Sequence, residues 1–479
     1  MSGAGAPDKP ARRPVAAFGA AMALVLGGCT AGPDYAPPKP LSSPALQTGK
    51  FVRAGDIEAA APVARWWEGL GDPVLTGLID KGLREAPGIA AARARVRQAR
   101  AGLAGARTGG LPSVGAGATY VRADLPDQAL GTGSGTIDVF NVGFDARWEA
   151  DLWGGQRRGV EKARAQAEAA AARLADAQVS LSAEIARTYV LLRAHEVSLA
   201  LLDERHHSES RIVELTVQRI TRGTAGVQAG EAALMQLRRT TSERAAMAAD
   251  VAILRDGLAV LTGSAPGTLE SLAPAAIPLP PERVPVGDPG AMLARRPDVR
   301  AAERQLAAAS AQIGVEQARR FPQVSLLGLV GLGGTSAGDL FDSSQVLSAV
   351  LPRLSWNFLD FGRGRAAVRS AEAGRDVALA EYDAAVLAAL QDAEASLARF
   401  GAARTAFAQS VDAVRNAATI AGLQGQRADA GTIARAEALE ARRQAIDAEL
   451  AEADRRAGVT LAFVALVKSL GLGWEDATP

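Results

Sequence analysis

The side chains best placed for chemistry are two glutamates and two arginines near the C-terminus. Glu437 and Glu440 are three residues apart, so a helix would carry both carboxylates on one face. Arg442 and Arg443 follow within one turn. Such a group can attract cations or form salt bridges. Either the acidic pair faces an internal passage or it lies on a solvated outer face, and the spacing fits both.

Catalysis and metal binding find little support in the composition. The chain has 479 residues with three His and one Cys, which excludes a site built from several Cys or several His. No nucleophile and base stand in a grouping typical of an enzyme, so the sequence predicts no enzyme activity, no metal and no cofactor. Lys and Arg number 53 against 52 Asp and Glu, a balance that argues against a nucleic-acid-binding protein.

The only cysteine, Cys29, stands at the end of a segment typical of an export signal. A positively charged start is followed by an apolar run over residues 15–26 and by two glycines. This run is too short to cross a bilayer as a permanent helix. The sequence around Cys29 resembles a lipoprotein-processing site, so we expect residues 1–28 to be removed and a lipid to be attached to Cys29. The alternative is an ordinary signal peptide with an incidental thiol.

Two Arg-x-x-x-Gly turns are the next candidates. Arg219 precedes Gly223 by four residues, and Arg427 precedes Gly431 by four residues. Glycine at a helix end permits a tight reversal of the chain. The four residues could be exposed contact points for a partner protein. Alternatively, each glycine only makes the turn and each arginine interacts with the last carbonyls of its helix.

These turns belong to a duplicated chain. At a shift of 210 residues, Pro112 falls on Pro322. At a shift of 208 residues, Trp148 falls on Trp356, and the first turn falls on the second. Self-similarity at a fixed shift is the mark of a repeat architecture. The sequence therefore predicts two tandem copies, over 66–263 and 291–471.

Proline placement predicts very long helices in each copy. No proline occurs between Pro126 and Pro266 or between Pro352 and Pro479, and proline disrupts helix interiors. Helical hairpins are predicted over 156–262 and 364–470, and a shorter helix is predicted before each strand region, at 88–108 and 298–320. A helix of about 67 residues would be about 100 Å long, longer than an ordinary globular domain.

Strands are predicted before each hairpin, and one segment, 136–152, alternates clearly. Every second residue from Phe140 to Trp148 is apolar, and the residues between them include Asn141 and Asp145. Such alternation is typical of membrane β-strands, although a half-buried soluble sheet shows the same pattern. The other predicted strands cover 113–122, 323–332 and 345–360.

Trp148 and Trp356 occupy the same place in the two copies, at the end of the apolar face. Tryptophan is enriched where a membrane surface meets water. The two residues are therefore candidate membrane-interface aromatics, and ordinary packing residues are the alternative.

The number of strands limits the architecture. Four strands cannot close a membrane barrel, which needs at least about eight. An open sheet edge in lipid would leave backbone groups unpaired. If these strands enter a membrane, several chains must share one barrel, with eight strands for two chains or twelve strands for three chains.

Proline also marks segments outside the two copies. Residues 29–65 begin with a proline-rich stretch and are expected to form an extended arm behind the lipidated Cys29. Residues 264–290 are expected to be an extended linker between the copies. Residues 472–479 form a short tail.

Several stretches resemble the outer membrane efflux protein family, which is TolC-like, in its NodT-type lipoprotein branch. The resemblance covers about residues 29–475 and includes the two Arg-x-x-x-Gly turns. RRPDVRAAE at 295–303 is the most specific motif. The other stretches are CTAGPDYAP at 29–37, WW at 66–67, DPVL at 72–75 and FP at 321–322.

The resemblance implies a mixed α and β fold with a particular assembly. Three chains would share a transmembrane β-barrel, and their long antiparallel hairpins would form a periplasmic α-barrel. The implied partners are two further copies, outer-membrane lipid, a periplasmic adaptor (membrane fusion) protein and an inner-membrane pump of the resistance-nodulation-division type. The implied location is the outer membrane, with a lipid anchor and a large periplasmic part, and the implied function is passive conduction of exported substrates.

The resemblance also gives the candidate residues their roles. Acidic residues just after the second turn narrow the passage in this family, which implies a gate formed by Glu437 and Glu440; the first copy has Ala229 and Ala232 there. Nearby arginines could hold the closed state by salt bridges, and the two turns would contact the adaptor. The gate arginines are Arg442 and Arg443, and the adaptor-contact residues are Arg219, Gly223, Arg427 and Gly431.

Two other functions remain open from the sequence. A duct for metal-ion or peptide secretion would have the same generic walls. A secreted periplasmic coiled-coil scaffold would explain the helices and the duplication, but not the alternating strands or the lipid signal.

Overall fold

The computed structural model describes residues 30–39, 43–53, 63–125 and 135–474. Within these ranges the chain forms nine α-helices, two 3-10 helices and four strands. The helices are α1 (Pro44–Thr48), α2 (Pro73–Glu85), α3 (Pro87–Thr108), α4 (Gly155–Thr221), α5 (Val227–Leu261), α6 (Pro289–Arg295), α7 (Pro297–Ala318), α8 (Arg363–Asp429) and α9 (Arg435–Ser469). The strands are β1 (Ser113–Leu125), β2 (Gly135–Ala150), β3 (Gln323–Gly334) and β4 (Val346–Ser355), and the 3-10 helices are Trp66–Leu70 and Ala337–Phe341.

The strands form one antiparallel sheet in the order β1-β2-β3-β4. Its central pair joins the two copies of the repeat, because β2 belongs to the first and β3 to the second. Ala150 is paired with Val324 at one end and Phe140 with Gly334 at the other. The outer strands β1 and β4 therefore each have one edge without a partner strand in the part of the chain that the structure describes.

The long helices α4 and α8 have 67 residues each, and the returning helices α5 and α9 have 35 residues each. An aspartate caps the start of each long helix in both copies. Asp151 accepts hydrogen bonds from the amides of Gln156 and Arg157, and Asp360 accepts them from Gly362 and Gly364. Carboxylates at a helix N-terminus satisfy amides that have no partner within the helix.

The largest hydrophobic cluster joins the 3-10 helix at Trp66–Leu70, α2, the middle of α4, and parts of α8 and α9. Trp66 and Trp67 are 5% and 2% exposed, and the ring of Trp66 meets that of Phe463 at 5.9 Å in an edge-to-face arrangement. Burial of such large rings removes apolar area from water, each contributing several kcal/mol at about 25 cal/mol per Å². The two side chains of the WW motif therefore pack in the hydrophobic core and do not line a binding site.

The chain divides into two compact units. Of the described residues, the first unit comprises 30–38, 97–125, 135–169 and 303–381 and contains the sheet. The second comprises 39, 43–53, 63–96, 170–302 and 382–474 and contains the large core cluster. Among the helices that the structure describes, none combines the length and apolar character needed to cross a membrane.

Strand β4 is shorter than the predicted 345–360, because it ends at Ser355. Its counterpart β2 continues to Ala150, where β3 supplies the partner Val324. Continuing the β3–β4 register would set Trp356 opposite Pro322, which has no amide hydrogen to donate. The strand therefore stops where its partner within the chain stops.

Candidate functional site

The predicted acidic pair lies at the start of α9, and its two members differ. Arg443 binds Glu440 with both Nε and Nη2, at 3.0 and 2.5 Å. These hydrogen bonds lower the pKa of Glu440 below its usual range, despite partial burial. Glu437 is exposed and has no ion pair among the residues that the structure describes. The free carboxylate of the pair is therefore Glu437, whereas Glu440 is neutralised locally.

The two predicted gate arginines join α9 to itself and to the long helix α4. Arg442 contacts Glu204 of α4 at 2.6 Å and Glu449 of α9 at 2.8 Å. Arg443 also contacts Asp447 at 3.0 Å. Both arginines therefore hold the first turns of α9 in a network of carboxylates.

A third arginine, not predicted from the sequence, completes this network from α4. Arg205 is 8% exposed and contacts Asp447 of α9 at 3.2 Å. It also contacts Glu209 of α4 at 3.1 Å and Glu243 of α5 at 3.6 Å. A buried arginine needs such partners, because an unpaired buried charge is strongly destabilising. Arg205 thus links the helices α4, α5 and α9.

The two turns have the same geometry. Gly223 and Gly431 adopt φ angles of 70° and 71°. In each turn a threonine amide and its hydroxyl both donate to the arginine carbonyl, from Thr224 to Arg219 and from Thr432 to Arg427, at 2.8–3.0 Å. This is the Schellman arrangement that ends helices with a left-handed glycine.

The side chains at the turns remain available for contacts. The glycine and arginine of both turns are exposed, and an added Cβ on Gly223 or Gly431 would meet nothing within 4 Å. The Arg427 side chain makes one hydrogen bond within the described residues, at 3.4 Å to Gln424 of its own helix. The threonines were the residues that sequence reasoning missed here, although they recur in both copies.

One face of the sheet, here called the apolar face, carries large exposed side chains. Its exposed apolar residues include Val114, Val142, Phe144, Val330, Val350 and Leu354, between 40% and 74% exposed. From Trp148 to Phe140 it extends eight residues along β2, about 27 Å at 3.4 Å per residue. Membrane barrels carry an apolar band about 25 Å tall. The apolar face has the dimensions of a lipid-facing wall.

Aromatic residues bound the apolar face at both ends. At one end the indole nitrogens of Trp148 and Trp356 donate to the carbonyls of Gly110 and Arg320, at 2.9 and 3.0 Å. These carbonyls are equivalent in the two copies, 210 residues apart. At the other end the ring of Tyr120 packs on Phe140 at 4.8 Å. Aromatic girdles at two levels are typical of membrane β-proteins.

A buried arginine that sequence reasoning did not single out holds the N-terminal arm. Arg158, near the start of α4, is 5% exposed. It donates to the carbonyls of Ala31 and Gly32 and forms ion pairs with Asp34 and Glu161, at 2.6 and 2.7 Å. The arm is therefore fixed by charge and by backbone contacts directly after position 29. Cys29 itself lies outside the described residues.

The arm makes further contacts with α7. The Tyr35 hydroxyl donates to Glu303, and the Arg304 guanidinium lies 5.6 Å from the Tyr35 ring centroid. Gly32 has φ 89°, and a Cβ there would collide with the backbone of Gly314. Glu303 ends the RRPDVRAAE motif, so part of this motif serves to bind the arm.

Known proteins share this arrangement along nearly the whole chain. The family model described as "Outer membrane efflux protein" matches residues 78–264 and 289–472. The chain belongs to the outer membrane efflux protein family. The two matched segments correspond to the two copies of the repeat.

Relatives in this family include characterised export proteins. The toluene efflux pump outer membrane protein TtgI of Pseudomonas putida is 29% identical over 462 residues, which are 94% of this chain and 97% of the relative. The pyoverdine export outer membrane protein OpmQ of Pseudomonas putida is 30% identical over 440 residues, 88% of this chain and 90% of the relative.

Solved structures of family members confirm the fold. The outer-membrane channel OprN superposes with a TM-score of 0.85 at 30% identity, covering 93% of this chain and all of that one. The open state of the Neisseria gonorrhoeae MtrE outer membrane channel superposes with a TM-score of 0.81 at 26% identity, covering 93% and 98%. The predicted mixed α and β fold, with long hairpins and four strands, is confirmed.

Membership in this family excludes one of the two other functions left open by the sequence. The chain is an outer-membrane efflux component, so a periplasmic coiled-coil scaffold without channel activity is excluded as the explanation of its helices. The outer membrane efflux protein family is one of export ducts and not of enzymes.

Proposed function

We propose that three copies of this chain form a passive duct through the outer membrane. Each copy would contribute four strands to one shared twelve-stranded barrel. The hairpins of each copy would contribute to a helical tunnel on the periplasmic side. Substrates would enter this tunnel from a pump that supplies the energy, so the duct itself needs no catalytic group.

The apolar face of the sheet is the observation that carries this proposal. A sheet with large exposed apolar side chains over about 27 Å needs lipid on that face. The outer edges of β1 and β4 have no partner strand among the described residues, and an open edge is not tolerated in lipid. Association of copies edge to edge satisfies both requirements.

The proposed partners follow from the turns and from the relatives. Relatives are named as outer membrane proteins of efflux pumps. A periplasmic adaptor would bind the exposed turns at Gly223 and Gly431 and connect the duct to an inner-membrane pump of the resistance-nodulation-division type. Lipid attached to Cys29 would hold the arm at the inner surface of the outer membrane.

The gate would lie at the start of α9. Glu437, with its free carboxylate, would face the passage, and three copies would form an acidic ring that favours cations. The arginine network around Arg442 and Arg443 would hold α9 against α4 in the closed state. Opening would require these ion pairs to exchange partners.

Deletion of the chromosomal copy tests the function. The deletion strain is grown against a panel of toxic organic compounds, metal ions and peptides, with and without the wild-type chain on a plasmid. Increased intracellular accumulation of one class, reversed by the plasmid, supports the proposal and names the cargo. Unchanged accumulation of every class, with a normal outer-membrane level of the protein in the parent strain, would contradict it.

A further inference from the structure

The duplication specifies how one copy of the chain meets the next. Within one chain, the two repeats are related by a shift of 210 residues from β1 to β3 and of 208 residues from β2 to β4. The pairing of the two strands within each repeat confirms the sum of these shifts. Ser113 pairs with Arg147 in the first copy, and adding the two shifts gives Gln323 with Ser355, which is the observed pair in the second copy.

The same shifts can be applied to the junction between the two repeats, which predicts the junction between two chains. Within the chain, β2 pairs with β3 so that Asp145 lies opposite Leu329 and Ala146 opposite Gly328. The equivalent junction, from β4 to the β1 strand of another chain, is missing from one chain alone. We propose that β4 of one chain pairs with β1 of the next in a register in which the two residue numbers sum to 472. This inference rests on the proposed shared barrel and gives it a residue-level interface.

The inferred register agrees with the faces of the sheet. It sets Arg353 opposite Thr119 of the next chain, both on the face behind the apolar face, and Leu354 opposite Ala118, both on the apolar face. A register changed by one residue would mix the two faces. Large residues also meet small ones, since Leu354 and Trp356 would lie opposite Ala118 and Ala116.

The inferred register also explains why β4 ends early. β2 continues to Ala150 because β3 pairs with it there. The residue equivalent to Ala150 is Phe358, which is 77% exposed and lies beyond the last residue of β4. In the inferred register Phe358 would lie opposite Val114 of the next copy. The neighbouring strand would therefore extend β4 beyond Ser355 to Phe358, the position equivalent to the last residue of β2.

The helices beside the sheet also support a neighbouring chain at this junction. Within the chain, Ala165 of α4 packs against Ala307 and Ala308 of α7 and is 4% exposed. The equivalent surfaces, Ala373 of α8 and Arg97 of α3, are both exposed. Within one chain the contact between α4 and α7 is therefore present. The two surfaces that would form the equivalent contact, on α8 and on α3, are both exposed.

Disulfide trapping in the full-length chain tests the register. Thr119→Cys with Arg353→Cys is the in-register pair. Thr119→Cys with Leu351→Cys and Thr119→Cys with Ser355→Cys are the offset pairs, and each single variant controls for Cys29. Within one chain, positions 119 and 353 are three strand spacings apart, about 14 Å across the sheet, and eight residues apart along the strands, about 27 Å. An internal disulfide is therefore impossible. Ala118→Cys with Leu354→Cys repeats the test on the apolar face.

After brief oxidation of purified outer membranes, the in-register pairs are expected to give a covalent trimer on a non-reducing gel. The offset pairs and the single variants are not expected to give a covalent trimer. The mass of each variant in mild detergent is measured in parallel. A trimer that cross-links only through an offset pair, or through none, overturns the register and leaves the proposed function intact. A monomer that forms no cross-link contradicts both.

Discussion

Arg442 binds a single oxygen of Glu204, with Nε at 2.8 Å and Nη2 at 2.6 Å, and so ties helix α9 of the second copy to the long helix α4 of the first. The same guanidinium reaches Glu449 at 2.8 Å. Because α9 leads directly from the second turn, this contact is well placed to hold the proposed gate. Both partners are partly exposed, with 35% and 46% of their side chains accessible.

Replacing Arg442 with Ala should raise ion leakage through the resting duct. Partly exposed ion pairs contribute only about 0.2–1 kcal/mol each, so the leak should increase by a few-fold without full opening. Glu204→Ala should have a similar effect, and the double variant should add little to it. Leakage is measured as the resting current in planar bilayers. Arg455→Ala, on the same helix, is the control. An equal leak in Arg442→Ala and in this control would show that the ion pair between Arg442 and Glu204 does not hold the gate closed.

The acidic pair should set the ion preference of the duct, mainly through Glu437. Glu437→Ala should weaken cation preference and block by added divalent cations more than Glu440→Ala, because Arg443 already neutralises Glu440. Reversal potentials in a salt gradient measure the preference. Glu214→Ala, an exposed glutamate near the first turn, is the control. If Glu437→Ala and Glu440→Ala together keep both the preference and the block, the pair faces outward.

Cys29 should be the lipidated first residue of the mature chain. Cys29→Ser should lose incorporation of a fatty-acid probe and leave the precursor unprocessed, because the diacylglyceryl group is attached to the thiol. Labelled cells are compared by gel and by mass of the intact protein. Equal labelling of the wild-type and Cys29→Ser chains would show that the lipid is absent or attached elsewhere.

Arg158 should be required for docking of the arm behind Cys29. Arg158→Ala removes the donors to Ala31 and Gly32 and the partner of Asp34, at a cost of about 2 kcal/mol to arm docking. The arm should then be cut faster by proteinase K, as followed by mass spectrometry. Arg157→Ala is the matched control, because its side chain is 55% exposed and contacts Asp151 instead of the arm. Equal cutting rates for the two variants would contradict this role.

Acid should weaken the fold through Asp298, a residue of the RRPDVRAAE motif. Burial alone would raise the pKa of Asp298, but bonds from Arg296, at 3.0 and 2.6 Å, lower it below its ordinary value. The ionised carboxylate therefore stabilises the fold at neutral pH, and this contribution is lost as pH falls through the lowered pKa. Asp176 and Asp392 also lie beside Arg296.

Thermal unfolding between pH 7 and pH 3 measures the effect of Asp298. Asp298→Asn should be less stable than the wild type at pH 7, and the difference should shrink toward pH 3. Asp376→Asn, an exposed aspartate on α8, should show no such pH-dependent difference. A constant difference between Asp298→Asn and the wild type over this range would assign the stability to packing instead of charge.

Local sequence rules were sufficient for much of the fold. Proline-free windows and Gly223 and Gly431 predicted the two hairpins, because proline and left-handed glycine act on the backbone where they stand. Alternation from Phe140 to Trp148 predicted the apolar face. The end of β4 was missed, because strand length depends on a partner strand and not on the residues of the strand itself.

The candidate site was less accessible to sequence reasoning. The ion pair that neutralises Glu440 depends on the rotamer of Arg443, and other arginines in the sequence have the same i, i+3 spacing without a role at the gate. Arg158 meets Asp34 from 124 residues away, and Arg205 meets Asp447 from 242 residues away. Such contacts are created by tertiary packing and leave no spacing pattern.

The central claim is that three chains together make one conducting duct. Its most direct test is a combined measurement on a single purified sample of the full-length lipidated chain in mild detergent, first its native mass and then its current in a planar bilayer. The account predicts a mass of three chains and a steady ion current that disappears when the sample is dissociated to monomers. A uniform population of single chains that carries the same current would contradict it.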